Sequence, residues 1–303
     1  MPPVHLGLPI WGNRDWVGTL FTPDARPADF LGQYAGAFDA VEGNTTFYGV
    51  PGPDTVARWA EQTPPTFSFC FKAPRAITHE RRLCAAEEET AAFLGALAPL
   101  GERLGPFLLQ LPPTFGPPRL EDLDAFLAAH PVAAGWAVEV RHSGFFDGAG
   151  GEAALVDLLS RHGADRAVFD TRSVRGHNAP DDAASLAAAR RKPDLPVRFV
   201  ACGRRPLVRY LAHMDEERND ALWAPWVDAI ATWVAEGRTP YFFVHLPDDR
   251  LAPQFARRFR RLLGERIDLG APPPWPGEVM EAAKQLDLFG DAADEADSAA
   301  RFP

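Results

Sequence analysis

The sequence predicts a single (β/α)₈ barrel of the TIM type with a flexible C-terminal tail, and three observations predict it. Short apolar runs bounded by Gly, Pro or Asp occur eight times, and each is followed by a segment of helical period. The order is strictly β then α throughout, which favours a closed parallel barrel over an open or antiparallel sheet. The 303 residues leave room for one such barrel and a tail. We therefore expect a barrel over residues 1–270 and a proline-rich linker with an acidic tail over 271–303.

The strand candidates, in order, are HLGLPIW, AFDAVEG, FSFCFKA, PFLLQLP, WAVEVRH, RAVFDT, VRFVAC and YFFVHLP. Between them lie the helical segments ADFLGQYAG, PDTVARWAEQ, AAEEETAAFLGALAPL, LEDLDAFLAAH, GEAALVDLLSRHG, DDAASLAAARRK, NDALWAPWVDAIATWVAEG and LAPQFARRFRRLLGE. Pro53 and Asp54 suit a first helical turn, and Gly237 suits a helix stop. In the seventh helix Trp223, Trp226, Val227, Ile230, Trp233 and Val234 recur at spacings of three and four, the pattern of a face packed on the barrel rather than a ligand box.

Barrels of this kind carry their chemistry at the C-terminal ends of the strands. The polar residues at those ends are Glu42 and Asn44 on the second strand, Lys72 on the third and Gln110 on the fourth. The fifth ends in Glu139, Arg141 and His142, the sixth in Asp170 and Arg172, and the eighth in His245. Alternation puts Ser68, Cys70 and Lys72 on one face of their strand and Phe67, Phe69 and Phe71 on the other. The aromatics belong between sheet and helices, so Lys72 points into the barrel. By the same logic Glu139 and Arg141 share a face opposite Val138 and Val140.

A buried lysine among carboxylates can act as general acid or base, as Schiff-base nucleophile or as anion anchor. The competing account is an internal ion pair with Glu42 or Glu139 that only holds the barrel's shape. Gathering so many ionisable groups at one rim is costly to desolvate, which favours a catalytic or binding site. On this reading Glu42, Lys72, Glu139, Arg141, His142 and Asp170 are catalytic, and Asn44, Gln110, Arg172 and His245 contact the substrate. No cofactor is specified. A divalent metal on Glu42, Glu139, Asp170, His142 and His245 stays open, since no spacing among them is diagnostic.

No P-loop, GxGxxG, GxSxG or HExxH occurs. Three widely spaced cysteines argue against a disulfide framework or a cysteine zinc site and point to a reducing cytoplasm. The N-terminus has no basic and apolar leader, and no run is long enough to span a membrane. Net charge is −10, and about half of it lies in the last 27 residues, so a basic face on the body remains open. Two basic sets surround the rim, Lys72, Arg75, Arg81 and Arg82, and Arg190, Arg191, Lys192, Arg198, Arg204, Arg205 and Arg209; they read either as a phosphate-attracting surface or as solvated exterior charge.

At these residues the sequence resembles the YecE-like family, a domain of unknown function (DUF72). The matching stretches are VEGNTTFYGVP from Val41, Trp59, TPPTFSFCFKAPRAITH from Thr63, LLQLPPTFG from Leu108 and VEVRHSGFF from Val138, with YFFVHLPDD from Tyr241 similar to one branch. The resemblance covers about residues 4–265. It implies a TIM-type barrel and brings no established reaction. Its characteristic polar residues fall on Glu42, Asn44, Thr45, Lys72, Thr78, His79, Gln110, Glu139, Arg141, His142 and Asp170, so the resemblance implies Thr45, Thr78 and His79 as further substrate contacts. Two departures stand out: Pro9, Ile10 and Trp11 replace a Ser-Gly-Trp segment, and Val200, Ala201, Cys202 and Gly203 stand where an Arg-x-His-Gly motif is expected.

In the tail, QLDLF resembles the linear motif by which bacterial DNA polymerases and repair proteins bind the DNA sliding clamp. Leu288 and Phe289, with Leu286, would fill an apolar pocket while the Gln285 amide makes fixed hydrogen bonds. A docked amphipathic helix through Val279, Ala283 and Leu286 is the alternative. Three functions follow: an enzyme acting on nucleic acid or a phosphorylated substrate and recruited to the clamp, an isomerase or hydrolase of small sugar-type molecules, or a non-catalytic clamp adaptor.

Overall fold

The computed structural model describes residues 3–178 and 182–281 of the chain. Eight parallel strands alternate with eight helices. The strands are β1 (His5–Leu8), β2 (Ala40–Gly43), β3 (Ser68–Phe71), β4 (Phe107–Gln110), β5 (Trp136–Glu139), β6 (Asp165–Asp170), β7 (Leu207–Leu211) and β8 (Tyr241–His245). The helices are α1 (Phe30–Ala37), α2 (Pro53–Gln62), α3 (Glu87–Leu97), α4 (Leu120–Ala129), α5 (Gly151–Arg161), α6 (Ala183–Arg191), α7 (Asp220–Ala235) and α8 (Ala252–Gly264). This is the (β/α)₈ fold that the alternation predicts.

The sheet runs β3-β2-β1-β8-β7-β6-β5-β4, all neighbours parallel. Between β3 and β4 the barrel closes through the isolated bridges Phe69↔Leu104 and Lys72↔Leu108 rather than a ladder. The Gly105 and Ala73 amides donate across this seam to the Phe69 and Leu108 carbonyls, both at 2.9 Å. Gly105 makes the approach possible: a Cβ there would lie 2.6 Å from Ser68 Oγ and 2.7 Å from Cys70 Sγ.

Each strand's outward residues meet helix faces. Phe67, Phe69 and Phe71 pack in the large sheet-to-helix core, while Cys70 joins Ala40, Leu108, Ala137, Ala167, Leu207, Tyr241 and Phe243 in a separate cluster inside the barrel. In α8, Phe255, Ala256, Phe259 and Leu263 are buried, and the arginines between them turn outward to Asp220 and Glu278. The α7 tryptophans Trp223, Trp226 and Trp233 are buried core residues, as their spacing predicts.

The seventh strand corrects the sequence reading. VRFVAC, residues 197–202, is not a strand; β7 lies downstream in LVRYL. Val197, Phe199 and Ala201 alternate convincingly, but this stretch is held off the sheet from both ends. Arg198 is drawn to Glu152, at 2.9 Å, and the Asp165 carboxylate collects the Cys202, Gly203 and Arg205 amides. The true strand was obscured by the arginine at its centre, Arg209.

The stretch assigned to a linker starts on the barrel. Trp275 is buried, with the Arg257 guanidinium 3.4 Å from its ring centroid, and residues 276–281 are helical. Gln285, Leu286, Leu288 and Phe289 lie outside the described residues. Among the described residues no helix is long and apolar enough to cross a membrane.

Candidate active site

Alternation continues to the strand ends and brings Glu42, Lys72, Gln110, Glu139, Phe169, Arg209 and His245 to the top of the barrel interior. Lys72, Gln110, Phe169, Arg209 and His245 line a cleft of about 620 Å³, together with Asn44, Phe47, Arg75, His79, Arg141, Arg191, Lys192 and Asp249, while Glu42 and Glu139 lie buried beneath it.

Arg209 is the centre of this floor. Its guanidinium forks onto Glu42, with both contacts 2.8 Å, and its third nitrogen donates to Glu139 Oε2 at 2.7 Å. Arg141 bridges Glu139 Oε1 at 2.7 Å and Gln110 Oε1 at 2.9 Å. Asn44 donates to Glu42 Oε1 at 2.7 Å, and His245 Nε2 lies 3.2 Å from Glu42 Oε2. Glu42, Glu139 and Arg209 are all buried.

Burial alone would raise both carboxyls; Arg141 and Arg209 outweigh it at Glu139, holding it at about 2, and Arg209 with His245 outweighs it at Glu42, holding it well below the usual carboxylate range. His245 is shifted downward too, but chiefly by burial, which disfavours its charged form. The floor is therefore an alternating chain of fixed charges with a neutral imidazole at its edge, and the carboxylate oxygens are already engaged.

Lys72 stands apart from this network. Its Nζ sits 3.7 Å from the Phe47 ring centroid, and among the described residues no carboxylate reaches it within ion-pair distance. Burial first, then the Arg209 and Arg141 charges, lower its pKa to about 8. Lys192, 5.4 Å over Phe169, is lowered by burial and Arg209 as well.

The chain contains only three lysines among its 31 basic residues, at positions 72, 192 and 284, so two of the three line this one cleft. A chain that uses arginine nearly everywhere else places an amine here, the basic group that burial can deprotonate.

Beside Lys72, a five-residue π-helix over Ala76–Glu80 carries Thr78 and His79, an irregularity frequent at functional sites. Thr78 Oγ1 contacts the Pro74 carbonyl at 3.2 Å and His79 Nδ1 at 2.8 Å. Where the hydroxyl donates to Pro74, His79 Nδ1 carries the proton and Nε2 accepts; where it donates to Nδ1, Nε2 carries the proton. Burial, with Lys72 and Arg75 nearby, lowers the pKa of His79, which keeps its ring neutral.

Other expected residues lie elsewhere. Asp170 points outward, accepting the Trp226 indole N–H at 2.8 Å and the Arg172 guanidinium at 2.7 Å, so both it and Arg172 serve the sheet-to-helix layer. His142 Nδ1 accepts the Gly144 amide at 3.0 Å and caps a turn. Thr45 is exposed at the start of a short 3₁₀ turn. The five residues considered for a metal do not converge: only Glu42 and His245 meet. Among the described residues no group of three His, Cys, Asp or Glu side chains is placed to hold an ion.

Of the two basic sets, Lys72, Arg75, Arg191, Lys192 and Arg209 reach the cleft. Arg81 pairs with Glu89 and Arg198 with Glu152, both outside it. Sequence reasoning grouped Arg209 and Lys192 in a basic set read either as a phosphate-attracting rim or as solvated exterior charge, and did not single out Phe47, Phe169 or Asp249. A correct seventh strand would have found Arg209, since its alternation with Leu207 and Leu211 is plain in LVRYL.

The model of the family described as "Protein of unknown function DUF72" matches residues 5–278. The chain belongs to the DUF72 family. It is 37% identical over 274 residues to the UPF0759 protein YecE of Escherichia coli K12, covering 90% of this chain and 97% of that protein. DUF72 family crystal structures share the fold: one from Thermotoga maritima at TM-score 0.64 and 22% identity, covering 86% of this chain and 98% of that one. Another from Enterococcus faecalis has TM-score 0.65 and 19% identity, with 87% and 98% covered.

Proposed function

We propose that this DUF72 protein is an enzyme that binds a small phosphorylated or multiply carboxylated compound in the strand-end cleft and acts on it through the Lys72 amine. The observation that carries this reading is Lys72 itself, half-buried beside Arg209 and Arg141 with no carboxylate partner among the described residues. A pKa of about 8 leaves roughly a tenth of the amine unprotonated at pH 7, some 300-fold more than an ordinary lysine. That is the state needed to attack a carbonyl or accept a proton.

Anion binding follows from the charge count. Glu42, Arg209, Glu139 and Arg141 compensate one another, and Arg75 pairs outward with Glu80. Lys72, Arg191 and Lys192 then face a single lining acid, Asp249, whose carboxyl burial shifts upward toward neutrality. A cleft of about 620 Å³ suits a metabolite better than a polymer. His79 Nε2 is the best placed group to move a proton beside the amine.

Pyridoxal 5′-phosphate, used as a phosphate-bearing aldehyde and fixed with borohydride, tests this directly. Mass mapping should find the label on Lys72, reduced by excess inorganic phosphate and abolished in Lys72→Met. Equal labelling of Lys72 and Lys284, with no protection by phosphate, overturns the reading.

The QLDLF segment supports a second reading, recruitment to the DNA sliding clamp. A Leu288→Ala, Phe289→Ala variant should lose retention on immobilised clamp while keeping its melting temperature. Equal retention of wild type and variant removes the clamp from the account.

A further inference from the structure

At the opposite, N-terminal end of the barrel lies a second cavity, of about 720 Å³. It opens where β3 and β4 are joined only by isolated bridges. Phe67, Leu94, Leu104 and Phe107 supply apolar walls. The His5 ring stacks on Tyr241 at 4.4 Å, and the Tyr241 hydroxyl lies 3.1 Å from Ser68 Oγ. Burial lowers His5 to about 4, so its ring is neutral and serves as a hydrogen-bonding surface rather than a charge.

Arg205 makes this more than a packing gap. The half-buried side chain lines the cavity, and its one hydrogen bond is from Nη1 to the Ala134 carbonyl at 2.9 Å. Among the described residues no carboxylate pairs with it, although 21 ion pairs are formed elsewhere in the structure. Its positive charge bears on His5 and Tyr241. Glu102 is the one acid in the lining and is exposed at the mouth.

We propose that this cavity is a second ligand site, for a small aromatic monocarboxylate, with the carboxylate facing Arg205 and the ring against the apolar wall beside the His5–Tyr241 stack. The chemistry is that of a ligand pocket: mostly apolar lining, a few convergent polar groups and one cation matched to one anion. It is independent of the strand-end cleft, whose cations suit ligands with more charge.

Benzoate, with methyl-resolved NMR of the full chain, is the test. The Leu94, Leu104 and Val132 methyls should shift saturably with benzoate and stay unmoved by benzyl alcohol or inorganic phosphate at the same concentrations. Arg205→Gln should weaken benzoate about tenfold or more, the scale of a lost charge-assisted hydrogen bond. Ala98→Trp, at an exposed position on the cavity wall, should block it without touching the core. Shifts confined to Leu211 and Leu246 at the strand-end cleft overturn the proposal, as does unchanged affinity in both variants. If deletion of residues 282–303 moves the cavity methyls as benzoate does, the chain's own tail is the occupant and the proposal likewise fails.

Discussion

Replacing Arg209 with methionine removes the cation that two buried carboxylates share while keeping most of the side chain's bulk. Glu42 loses a bidentate pair at 2.8 Å and Glu139 one of its two arginines. Deleting one partner of a buried pair costs about 3–5 kcal/mol, because the remaining charge stays desolvated. The depression of Glu139 from 4.5 to about 2 corresponds to about 3 kcal/mol, shared between Arg209 and Arg141. The first figure sets the expected loss at about 3–5 kcal/mol at pH 8, of which the Arg209 share of the Glu139 depression is a part, or roughly 6–20 °C in melting temperature for a domain of this size. The loss must also depend on pH. In the wild type the two depressed carboxyls contribute stability above pH 4.5, lost only as pH falls toward about 2. In Arg209→Met, Glu42 or His245 takes up a proton at higher pH and relieves the uncompensated charge, so the gap narrows between pH 8 and 5. Urea denaturation followed by tryptophan fluorescence at those two pH values measures it. A gap below about 1 kcal/mol at pH 8, or one that does not narrow, refutes the assignment of Arg209 as the organising cation.

Labelling of Lys72 by the phosphate-bearing aldehyde should rise with pH around a midpoint of about 8; a midpoint near that of free lysine would show that its burial is not felt. Asp170→Asn should lower stability by about 1–3 kcal/mol through the weakened Trp226 and Arg172 contacts and leave Lys72 labelling unchanged. Gly7→Ala should prevent soluble expression or cost more than about 3 kcal/mol, since its Cβ would overlap the Ala40 carbonyl oxygen on the paired strand. Gly36→Ala, in α1 with open space around it, should instead stabilise by about 0.4–1 kcal/mol, read by thermal melting.

Most of the fold was legible because it rests on local periodicity. Seven of the eight strand candidates contain or overlap an observed strand, and PDTVARWAEQ coincides with α2. The failure at β7 has a physical reason. A strand is recognised by its apolar run, and Arg209 interrupts that run because the charge is neutralised by Glu42 and Glu139, 167 and 70 residues away in sequence. Asp170 shows the complementary error. It ends a strand as the rim residues do, but it falls on the outward face with Val168, and only the inward register of Ala167 and Phe169 distinguishes the two. Alternation applied to β6 as it was to β3 and β5 would have separated Asp170 from the site.

The same pairings decide how the rim divides its labour. A carboxylate acts as a base through a free lone pair, and those of Glu42 are turned to Arg209, Asn44 and His245 while those of Glu139 are turned to Arg209 and Arg141. Using either as a base would first break a buried ion pair, at several kcal/mol. On the proposed reading, the groups left for chemistry are the Lys72 amine, about a tenth unprotonated at pH 7, and the neutral His79 imidazole, with the buried chain of charges supplying their environment. Arg209 and Arg141 are held in place by the glutamates, and from there they lower Lys72 toward neutrality and present positive charge to the cleft. Arginine in place of Lys72 would preserve the cleft's charge and remove any group able to lose it. A Lys72→Arg variant should thus still bind inorganic phosphate while losing aldehyde trapping, a separation that a purely electrostatic role for Lys72 does not produce.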